Sequence, residues 1–450
     1  MPQAASDDSL ATVRRSDASG RNAQGKLSRL PATEHLRRAN VYMTNRAFAE
    51  AREHWQALLA FYPSDAGVPS ALLGIGRSYF QDRHYEEAFG WLDRVARSYP
   101  LTKEGREGLN LSANAALRMG RPTDAVERFE KYIANYPEGE RFESAHLNMI
   151  DTLREAGRPK EAIQWISRTR AKFPNSPTEI NALFARLRLD VAESNWKHAV
   201  LTADELTTRR FQKGVLTTVS EVSYLKAYSL EQADRREEAV ATYLGIPDGT
   251  DSYYGWLATE RLLRMPGNRD QSAARQRSAS VKSAVGRDIA SFPAPYRAAI
   301  LHSAKARKLD PRFILAIIRQ ESVFKPFAKS PSGARGLLQL TMDAAQKYAA
   351  DAGLSAVREN QLYRPETSIL VGSQYLAELF RLFPNLPEAV AASYNGGEDN
   401  VARWVKRAKQ SDAGVFTAEI GFDETKGYVQ KVMANYRAYQ LLYTADLTPR

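Results

Sequence analysis

The sequence predicts an all-α protein in two parts, an α-superhelix of helical hairpins followed by a mostly helical domain. Three observations lead to this fold class. Marker residues recur every 37 residues through the first half. An apolar stripe at helical spacing opens the second half, and glycine-bearing turns separate the segments after it. A chain of 450 residues is also too long for one ordinary core and indicates at least two domains.

The first half contains six short phrases with an alanine in the same phase. The spacings between these alanines are 37, 37, 37, 37 and 40 residues, and the alanines are Ala51, Ala88, Ala125, Ala162, Ala199 and Ala239. An aromatic-proline pair follows each of the first four: Tyr62-Pro63, Tyr99-Pro100, Tyr136-Pro137 and Phe173-Pro174. Two markers in one phase predict helical hairpins, in which alanine permits a close helix crossing and proline ends the second helix.

This pattern resembles tetratricopeptide repeats, lengthened by about three residues over the usual period. The resemblance implies a tetratricopeptide-like α-superhelix over residues 35–250, with a concave face. The repeats either bind a protein or glycan partner or act as a scaffold that orients the following domain. We favour the scaffold, because no repeat carries an unusual cluster of ionisable or aromatic residues.

The segments that flank the repeats lack apolar periodicity. Residues 1–34 are small, polar and charged, and predict a disordered arm without the apolar core of a signal peptide. The chain is therefore either cytosolic or preceded by a secretion signal outside this sequence. Residues 251–289 end in a stretch rich in Ser, Ala, Arg and Gln, and predict a linker. The longest apolar run, 313–318, is too short for a transmembrane segment.

The amino-acid composition excludes several classes of functional site. The absence of cysteine excludes disulfides, thiol catalysis and Cys-ligated metals. The net charge of +11 favours an anionic partner such as nucleic acid, anionic lipid or peptidoglycan, although basic residues spread along the chain are equally typical of a solvated surface. The six histidines show no metal-ligand spacing and no glycine loop indicates a nucleotide site, so we expect no metal and no cofactor. Nucleic-acid binding would rest on charge alone and is not expected.

The segment LDPRFILAIIRQESVF predicts a helix with a carboxylate near its end. Asp310 is a natural N-cap and Pro311 suits the first helical position. Phe313, Ile317 and Glu321 lie four residues apart, which puts Glu321 on the buried stripe. Burial raises the pKa of a carboxyl group, as a general acid near neutral pH requires. The alternative is a helix that has already ended, with Glu321 exposed.

Three later segments add polar residues at the ends of apolar stretches. The glycine-bearing turn SPSGARGLLQL contains Gln339, and the helix AVAASYNGGEDNVARW runs into Tyr394 and Asn395. A third segment, AEIGFDETKGYVQKVMANY, places Glu419 and Tyr428 ahead of a closing helix. Each segment is a weak signal by itself.

In this order the segments resemble the lysozyme-like (goose-type) catalytic domain of the family 1 lytic transglycosylases, the soluble lytic murein transglycosylase group, over residues 290–445. The matching motifs are Glu-Ser at Glu321-Ser322, the block PSGARGLLQ, the Tyr-Asn-x-Gly block and the Glu-Thr-x-x-Tyr-Val block. That family carries an all-helical superhelix before its catalytic domain, which suits the repeats. The resemblance also implies peptidoglycan glycan strands as the substrate and the periplasm or cell envelope as the location.

The resemblance implies a role for each site residue. Glu321 protonates the bridging oxygen between N-acetylmuramic acid and N-acetylglucosamine, then accepts the proton of the muramic acid C6 hydroxyl, which attacks C1 to form a 1,6-anhydro sugar. Matched family positions that line the glycan cleft are Ser322, Gln339, Tyr394 and Asn395. Tyr394 is expected to hydrogen-bond the carboxylate of Glu321, and Glu419 and Tyr428 are expected near the site.

The chain departs from the family pattern at a few positions. Leu338 stands for a usual Met, Met342 for a common Pro and Ser368 for a common Asn. Glu398 and Asp399 replace the Pro-Gly that usually follows the Tyr-Asn-x-Gly turn. Two extra negative charges near the cleft predict altered binding of acidic stem peptides.

Two other functions stay open. A goose-type-like muramidase would hydrolyse the same bond with water, and would need a second carboxylate, for which Glu359, Glu366, Glu398 and Asp399 are candidates by position. A catalytically silent adaptor would be built on the repeats, and its lysozyme-like domain would only bind the glycan of peptidoglycan. The intact Glu321 argues against the adaptor, because a retired site tends to lose its acid.

Overall fold

The computed structural model describes residues 4–265, 268–409 and 411–450, and within them the backbone is helical apart from turns and four isolated bridges. The first nine helices are α1 Ala4–Ser19, α2 Ala32–Thr44, α3 Phe48–Phe61, α4 Val68–Gln81, α5 Tyr85–Ser98, α6 Lys103–Arg118, α7 Pro122–Asn135, α8 Phe142–Glu155 and α9 Pro159–Lys172. The predicted all-α class is confirmed.

Fourteen further α-helices follow along the described chain. They are α10 Pro177–Ala192, α11 Trp196–Thr207, α12 Val219–Gln232, α13 Arg236–Gly245, α14 Tyr253–Arg264, α15 Asn268–Arg287, α16 Arg297–Arg307, α17 Pro311–Ser322, α18 Met342–Ala349, α19 Pro365–Leu382, α20 Pro387–Gly396, α21 Glu398–Ala408, α22 Ala413–Ala418 and α23 Asp423–Leu442. Two short 3₁₀ helices, Ile289–Ser291 and Glu359–Tyr363, complete the list.

The repeat markers lie where the hairpin model puts them. Each of the six marker alanines is the fourth residue of the second helix of its hairpin, and all six are 0% exposed. Two residues before each of these helices the backbone is left-handed, at Arg46, Arg83, Gly120, Gly157, Ser194 and Asp234. The aromatic residue of the first three aromatic-proline pairs caps the end of its helix. The helical-hairpin repeat is confirmed.

The chain divides into two compact units, residues 1–169 and residues 170–450. The second unit contains the last repeat helices together with everything that follows them. The limits predicted from sequence, at residues 250 and 290, do not coincide with this division and stay predictions.

The prediction of a disordered arm over residues 1–34 is corrected by helix α1. Asp17 of this helix is buried, and it accepts hydrogen bonds from the Tyr42 hydroxyl at 2.5 Å and from the guanidinium of Arg38. His54 Nε2 lies 2.9 Å from the same carboxylate, and Val13 is buried on the same side of the helix. A buried carboxylate with three partners holds a helix whose average composition is polar, and composition does not reveal such a contact.

The linker predicted over residues 251–289 is also corrected, because it contains α14 and α15. Tyr254 is buried in α14, and its hydroxyl donates to Glu221 at 2.9 Å. In α15 the residues Ala274, Val281 and Val285 are buried. These residues are seven and four positions apart, so they form a sparse apolar stripe along the helix. The many Ser and Arg residues around them make this stripe hard to recognise in the sequence.

Helix α23 packs against several helices of the second half. It packs on both α17 and α20, so three segments distant in sequence meet along one helix. Where the chain is described, no helix is both long enough and apolar enough to cross a bilayer.

Candidate active site

Helix α17 places Glu321 in its last turn. The Asp310 side chain caps the helix by accepting from the Arg312 amide at 2.9 Å, and Phe313 and Ile317 are buried as the stripe predicts. Glu321 itself is half-buried. The residues that end the helix, Val323 and Phe324, have left-handed φ values of 49° and 60°. Such angles are costly for a β-branched residue and turn the chain sharply beside the carboxylate.

The carboxylate of Glu321 is held by one tyrosine. The buried Tyr428 of α23 donates its hydroxyl to Glu321 Oε1 at 2.6 Å. Burial raises the pKa of Glu321 to about 7, because the ionised form loses its water, and the hydrogen bond from Tyr428 acts in the opposite direction. Near neutral pH the group therefore exchanges readily between its acid and base forms, which suits it to donate a proton and take one back.

Tyr394 does not hydrogen-bond this carboxylate, contrary to the prediction. Its hydroxyl donates to the carbonyl of Leu338 at 2.6 Å, and its ring lies 5.1 Å from that of Tyr375. Burial, together with the nearby charge of Glu321, raises the pKa of Tyr394 well above its usual range. Tyr394 thus fixes the backbone next to Gln339, while Tyr428 holds the acid.

The glycine-bearing turn supports Gln339 through its own backbone. The Gln339 amide donates to the carbonyls of Ala328 at 3.0 Å and Gly336 at 2.8 Å. Gly336 has φ 77°, and a Cβ there would lie 2.0 Å from the Leu362 carbonyl oxygen, so only glycine fits. The side chain of Gln339 is therefore preorganised and half-buried.

Asn395 lies at the surface at the end of α20. Its Oδ1 accepts from the hydroxyl of Thr425 at 2.7 Å, which ties the Tyr-Asn-x-Gly turn to the first turn of α23. The same helix carries Tyr428 one turn later, so this hydrogen bond sets the position of Asn395 relative to the carboxylate of Glu321.

Two predicted site residues do not reach a ligand surface. Ser322 is buried, and its hydroxyl donates to the Ile318 carbonyl of its own helix at 3.2 Å. Glu419 is 1% exposed and forms ion pairs with Arg188 at 3.0 Å and Arg407 at 3.3 Å. In this structure both side chains make contacts within the protein, and the two arginines compensate the buried charge of Glu419.

The structure gives contacts to three residues that the sequence marks only as departures from the family pattern or as candidate acids. Ser368, noted only as a departure from the family, is fully buried and accepts from the Leu338 amide at 3.2 Å. Glu398 and Asp399 form the first turn of α21, where the helix dipole favours acids, and Glu398 lies 3.7 Å from Lys347. Their position at the start of a helix therefore explains, in structural terms, why two acidic residues occur here.

Comparison with known proteins identifies the second half. Residues 298–416 match the family model described as Transglycosylase SLT domain. This region is an SLT domain. Residues 36–101 and 110–177 match a tetratricopeptide repeat model, so the chain combines the two modules that its sequence indicates.

Curated relatives match about a third of this chain. A putative soluble lytic murein transglycosylase of Haemophilus influenzae is 42% identical over 135 residues, which is 30% of this chain and 23% of that protein. The soluble lytic murein transglycosylase of Escherichia coli K12 is 35% identical over 159 residues, 34% of this chain and 24% of that protein. The chain thus matches about a quarter of the length of these relatives.

Solved structures show the same fold over more of the chain. An inactive mutant of lytic transglycosylase Slt from Pseudomonas aeruginosa has a TM-score of 0.54 at 19% identity, covering 98% of this chain and 86% of that one. A 70-kDa soluble lytic transglycosylase in complex with bulgecin A has a TM-score of 0.50 at 18% identity, covering 93% and 90%. The predicted fold class, repeats followed by a lysozyme-like domain, is confirmed.

Proposed function

We propose that this chain is a lytic transglycosylase that cleaves the bond between N-acetylmuramic acid and N-acetylglucosamine in peptidoglycan, with Glu321 acting first as acid and then as base. One observation carries the proposal. Glu321 is half-buried, its pKa is raised to about 7, and Tyr428 donates to it at 2.6 Å. The names of the relatives of the SLT domain support the same substrate.

The reaction uses one carboxyl group twice. Protonated Glu321 gives its proton to the bridging oxygen, and the bond from that oxygen to C1 of the muramic acid breaks. The carboxylate that remains is stabilised by the Tyr428 hydroxyl. It takes the proton of the C6 hydroxyl as that oxygen bonds to C1, which closes the 1,6-anhydro ring. Glu321 is protonated again, and no water is consumed.

The glycan contacts are proposed for residues that the structure leaves near the surface. Gln339, held by its amide, and the exposed Asn395 are the candidates to hydrogen-bond the sugars. Tyr394 acts as a positioning residue through Leu338. We keep residues 290–445 as the proposed limits of the catalytic domain and the periplasm or cell envelope, where peptidoglycan lies, as the proposed location.

Hydrolysis by a muramidase mechanism has less support. Such a mechanism needs a second carboxylate that activates water. Of the four candidates, Glu359 is ion-paired with Arg335 and Glu398 lies beside Lys347, whereas Glu366 and Asp399 are exposed in the first turns of α19 and α21. Burial raises the pKa of Glu321 and the hydrogen bond from Tyr428 lowers it, and neither effect comes from a neighbouring acid.

The test is mass analysis of products from purified murein sacculi. The wild type is expected to release 1,6-anhydro ends, and Glu321→Gln to release none while still pelleting with sacculi. The control is Glu388→Gln, which neutralises a second buried glutamate whose pKa is also raised to about 7 but which contacts Tyr253 instead. This control should keep producing anhydro ends. Reducing ends would identify a muramidase, and binding without any cleavage by the wild type would identify an adaptor.

A further inference from the structure

Two aromatic rings lie together on the surface beside the candidate active site. Phe327 is 79% exposed, and its ring centroid lies 6.1 Å from that of Tyr363, with 32° between the ring planes. A single exposed apolar residue is ordinary. A largely exposed ring paired with a second, half-buried ring forms a flat apolar surface that is open to a ligand.

The turn after α17 fixes the position of Phe327. The left-handed residues Val323 and Phe324 reverse the chain, and the Lys325 amide donates to the Ser322 carbonyl at 3.0 Å. The Ala328 amide then donates to the Lys325 carbonyl at 3.1 Å, which closes the turn around Phe327. Phe327 lies six positions after Glu321 in the sequence.

The glycine-bearing turn links this region to Gln339. The Ala328 carbonyl accepts both the Gln339 side-chain amide and the Gly336 amide, each at 3.0 Å. The residue next to Phe327 is therefore directly bonded to a candidate glycan-binding residue. Phe327 stands at the edge of the same polar site rather than on a separate face.

Tyr363 is tied to the same turn from the other side. It ends the 3₁₀ helix Glu359–Tyr363, in which the preceding Leu362 is fully buried against Gly336. Glu359 at the start of that helix forms an ion pair with Arg335. Both rings are thus held by the backbone that presents Gln339.

We propose that Phe327 and Tyr363 form an aromatic platform that stacks on one pyranose ring of the glycan strand, next to the sugars that react at Glu321. This inference rests on the proposed glycan substrate and adds a residue pair that positions it. A pyranose presents C–H groups on its faces, and the face of an aromatic ring is negatively polarised, so the two attract while water is excluded. Sugar hydroxyls at the ring edge remain free for Gln339 and for solvent.

The charge and exposure of the surroundings favour a sugar over an apolar peptide. Lys325 lies two residues before Phe327, and the residues after the platform, Lys329 and Ser330, are polar. The apolar surface of the two rings therefore has polar residues next to it along the chain, which suits a saccharide that is apolar on its faces and polar at its edges. Binding at a site remote from the broken bond lowers KM and leaves the chemical step nearly unchanged unless it alters the transition state.

The first test measures binding without cleavage. In the Glu321→Gln background, affinity for peptide-free glycan strands is measured by fluorescence anisotropy for Phe327→Ala, Phe327→Trp and the control Leu382→Ala, an exposed leucine of α19. Phe327→Ala is expected to bind roughly tenfold more weakly, equivalent to about 1.4 kcal/mol. Phe327→Trp and Leu382→Ala should bind like the parent.

The second test separates the platform from the chemistry. In the otherwise wild-type chain, Phe327→Ala is expected to raise KM for the glycan strands by roughly tenfold and to change kcat by less than about twofold. Unchanged binding and KM would overturn the platform and leave the proposed activity intact. A fall in kcat at constant KM would overturn it too, because Phe327 would then act through the Gln339 turn. Weaker binding by Phe327→Ala in a chain that never forms anhydro ends would support the platform and reject the activity.

Discussion

At the scale of single residues, two glutamates share a raised pKa but differ in access. Glu388 is buried at the start of α20 and contacts Tyr253, so its proton has no route to a substrate. Glu321 is half-buried at the end of α17, with a single tyrosine hydroxyl on one oxygen. Partial burial raises the pKa, and partial exposure lets the proton leave, so both are needed for acid–base chemistry.

The Tyr428 hydroxyl sets the pH range of the reaction. Its hydrogen bond favours ionised Glu321, so Tyr428→Phe raises the pKa of Glu321 further above about 7. Glu321 must be protonated to begin, so activity is lost as pH rises through this pKa. The alkaline limb of kcat/KM should therefore move to higher pH, and kcat should fall roughly tenfold with the loss of one hydrogen bond to a charged group.

The control for that profile is Tyr436→Phe. Tyr436 lies on the same helix, and its hydroxyl donates to Asp310 at 2.9 Å, away from Glu321 Oε1. The alkaline limb of kcat/KM for Tyr436→Phe should lie at the same pH as that of the wild type. A limb that moves to lower pH in Tyr428→Phe would contradict the assigned hydrogen bond.

The raised pKa of Glu321 also predicts a pH-dependent cost in stability. The folded state retains a proton that the unfolded carboxyl group loses near its ordinary pKa, so stability falls as pH rises from about 4.5 to about 7. Glu321→Gln removes this cost and should raise the free energy of unfolding by about 1–3 kcal/mol at pH 8, with little effect below pH 5. Urea denaturation at the two pH values measures the difference.

The comparison variant for this measurement is Glu366→Gln, which changes an exposed glutamate in the first turn of α19. It should show no such gain at pH 8. A Glu321→Gln chain that is less stable than the wild type at pH 8 would show that the carboxyl group is not desolvated.

At the scale of elements, helix formation depends on a few buried contacts rather than on average composition. Helix α1 is polar, yet the carboxylate of Asp17 meets Arg38, Tyr42 and His54 inside the first unit. Helix α15 similarly has a sparse stripe, with Ala274 and Val281 buried. Sequence patterns predict both elements as irregular. The residues that hold each helix in place are few, and they are surrounded by charged or small residues.

Asp17→Asn should release helix α1. Removing the charge leaves the half-buried guanidinium of Arg38 with Glu34 as its remaining acidic partner, and it takes a charged acceptor from Tyr42 and His54, at a cost of about 1–3 kcal/mol. We expect trypsin to cut after Arg14 and Arg15 much faster than in the wild type, as gel electrophoresis of timed digests would show. Asp234→Asn, an exposed aspartate of the second unit, is the control and should digest like the wild type. Equal resistance of both variants would contradict the anchoring role of Asp17.

At the scale of the whole molecule, the SLT domain is continuous with the helices that precede it. Within the second unit, the buried Lys426 pairs with Glu221 at 3.0 Å, and the buried Arg437 pairs with Asp248 at 2.7 Å. Each pair joins α23 to a residue before the predicted catalytic domain. The domain limit drawn from the family resemblance therefore cuts through buried ion pairs.

A fragment of residues 290–450 is expected to fold poorly, whereas residues 170–450 should fold. In the shorter fragment Lys426 and Arg437 lose their carboxylates, and each uncompensated charge costs about 3–5 kcal/mol if it stays buried. Thermal unfolding followed by circular dichroism distinguishes the fragments. Replacing both residues by Met in the shorter fragment should recover part of the loss. A shorter fragment that melts cooperatively at the temperature of the longer one would contradict the argument.

Features that depend on local spacing can be predicted from the amino-acid sequence. The repeat phase placed Ala51 and its counterparts at the helix crossings, and the stripe from Phe313 placed Glu321 at the buried edge of α17. Both features depend on the position of a residue within its own helix, and the 3.6-residue helical period can be recognised within a short stretch of sequence. Long-range contacts cannot be predicted in this way: Tyr428, 107 residues from Glu321, donates to its carboxylate, whereas Tyr394 donates to the Leu338 carbonyl. The tertiary structure also buries Glu419 between arginines, because partners across packed helices depend on their angle and register, which spacing along the chain does not encode.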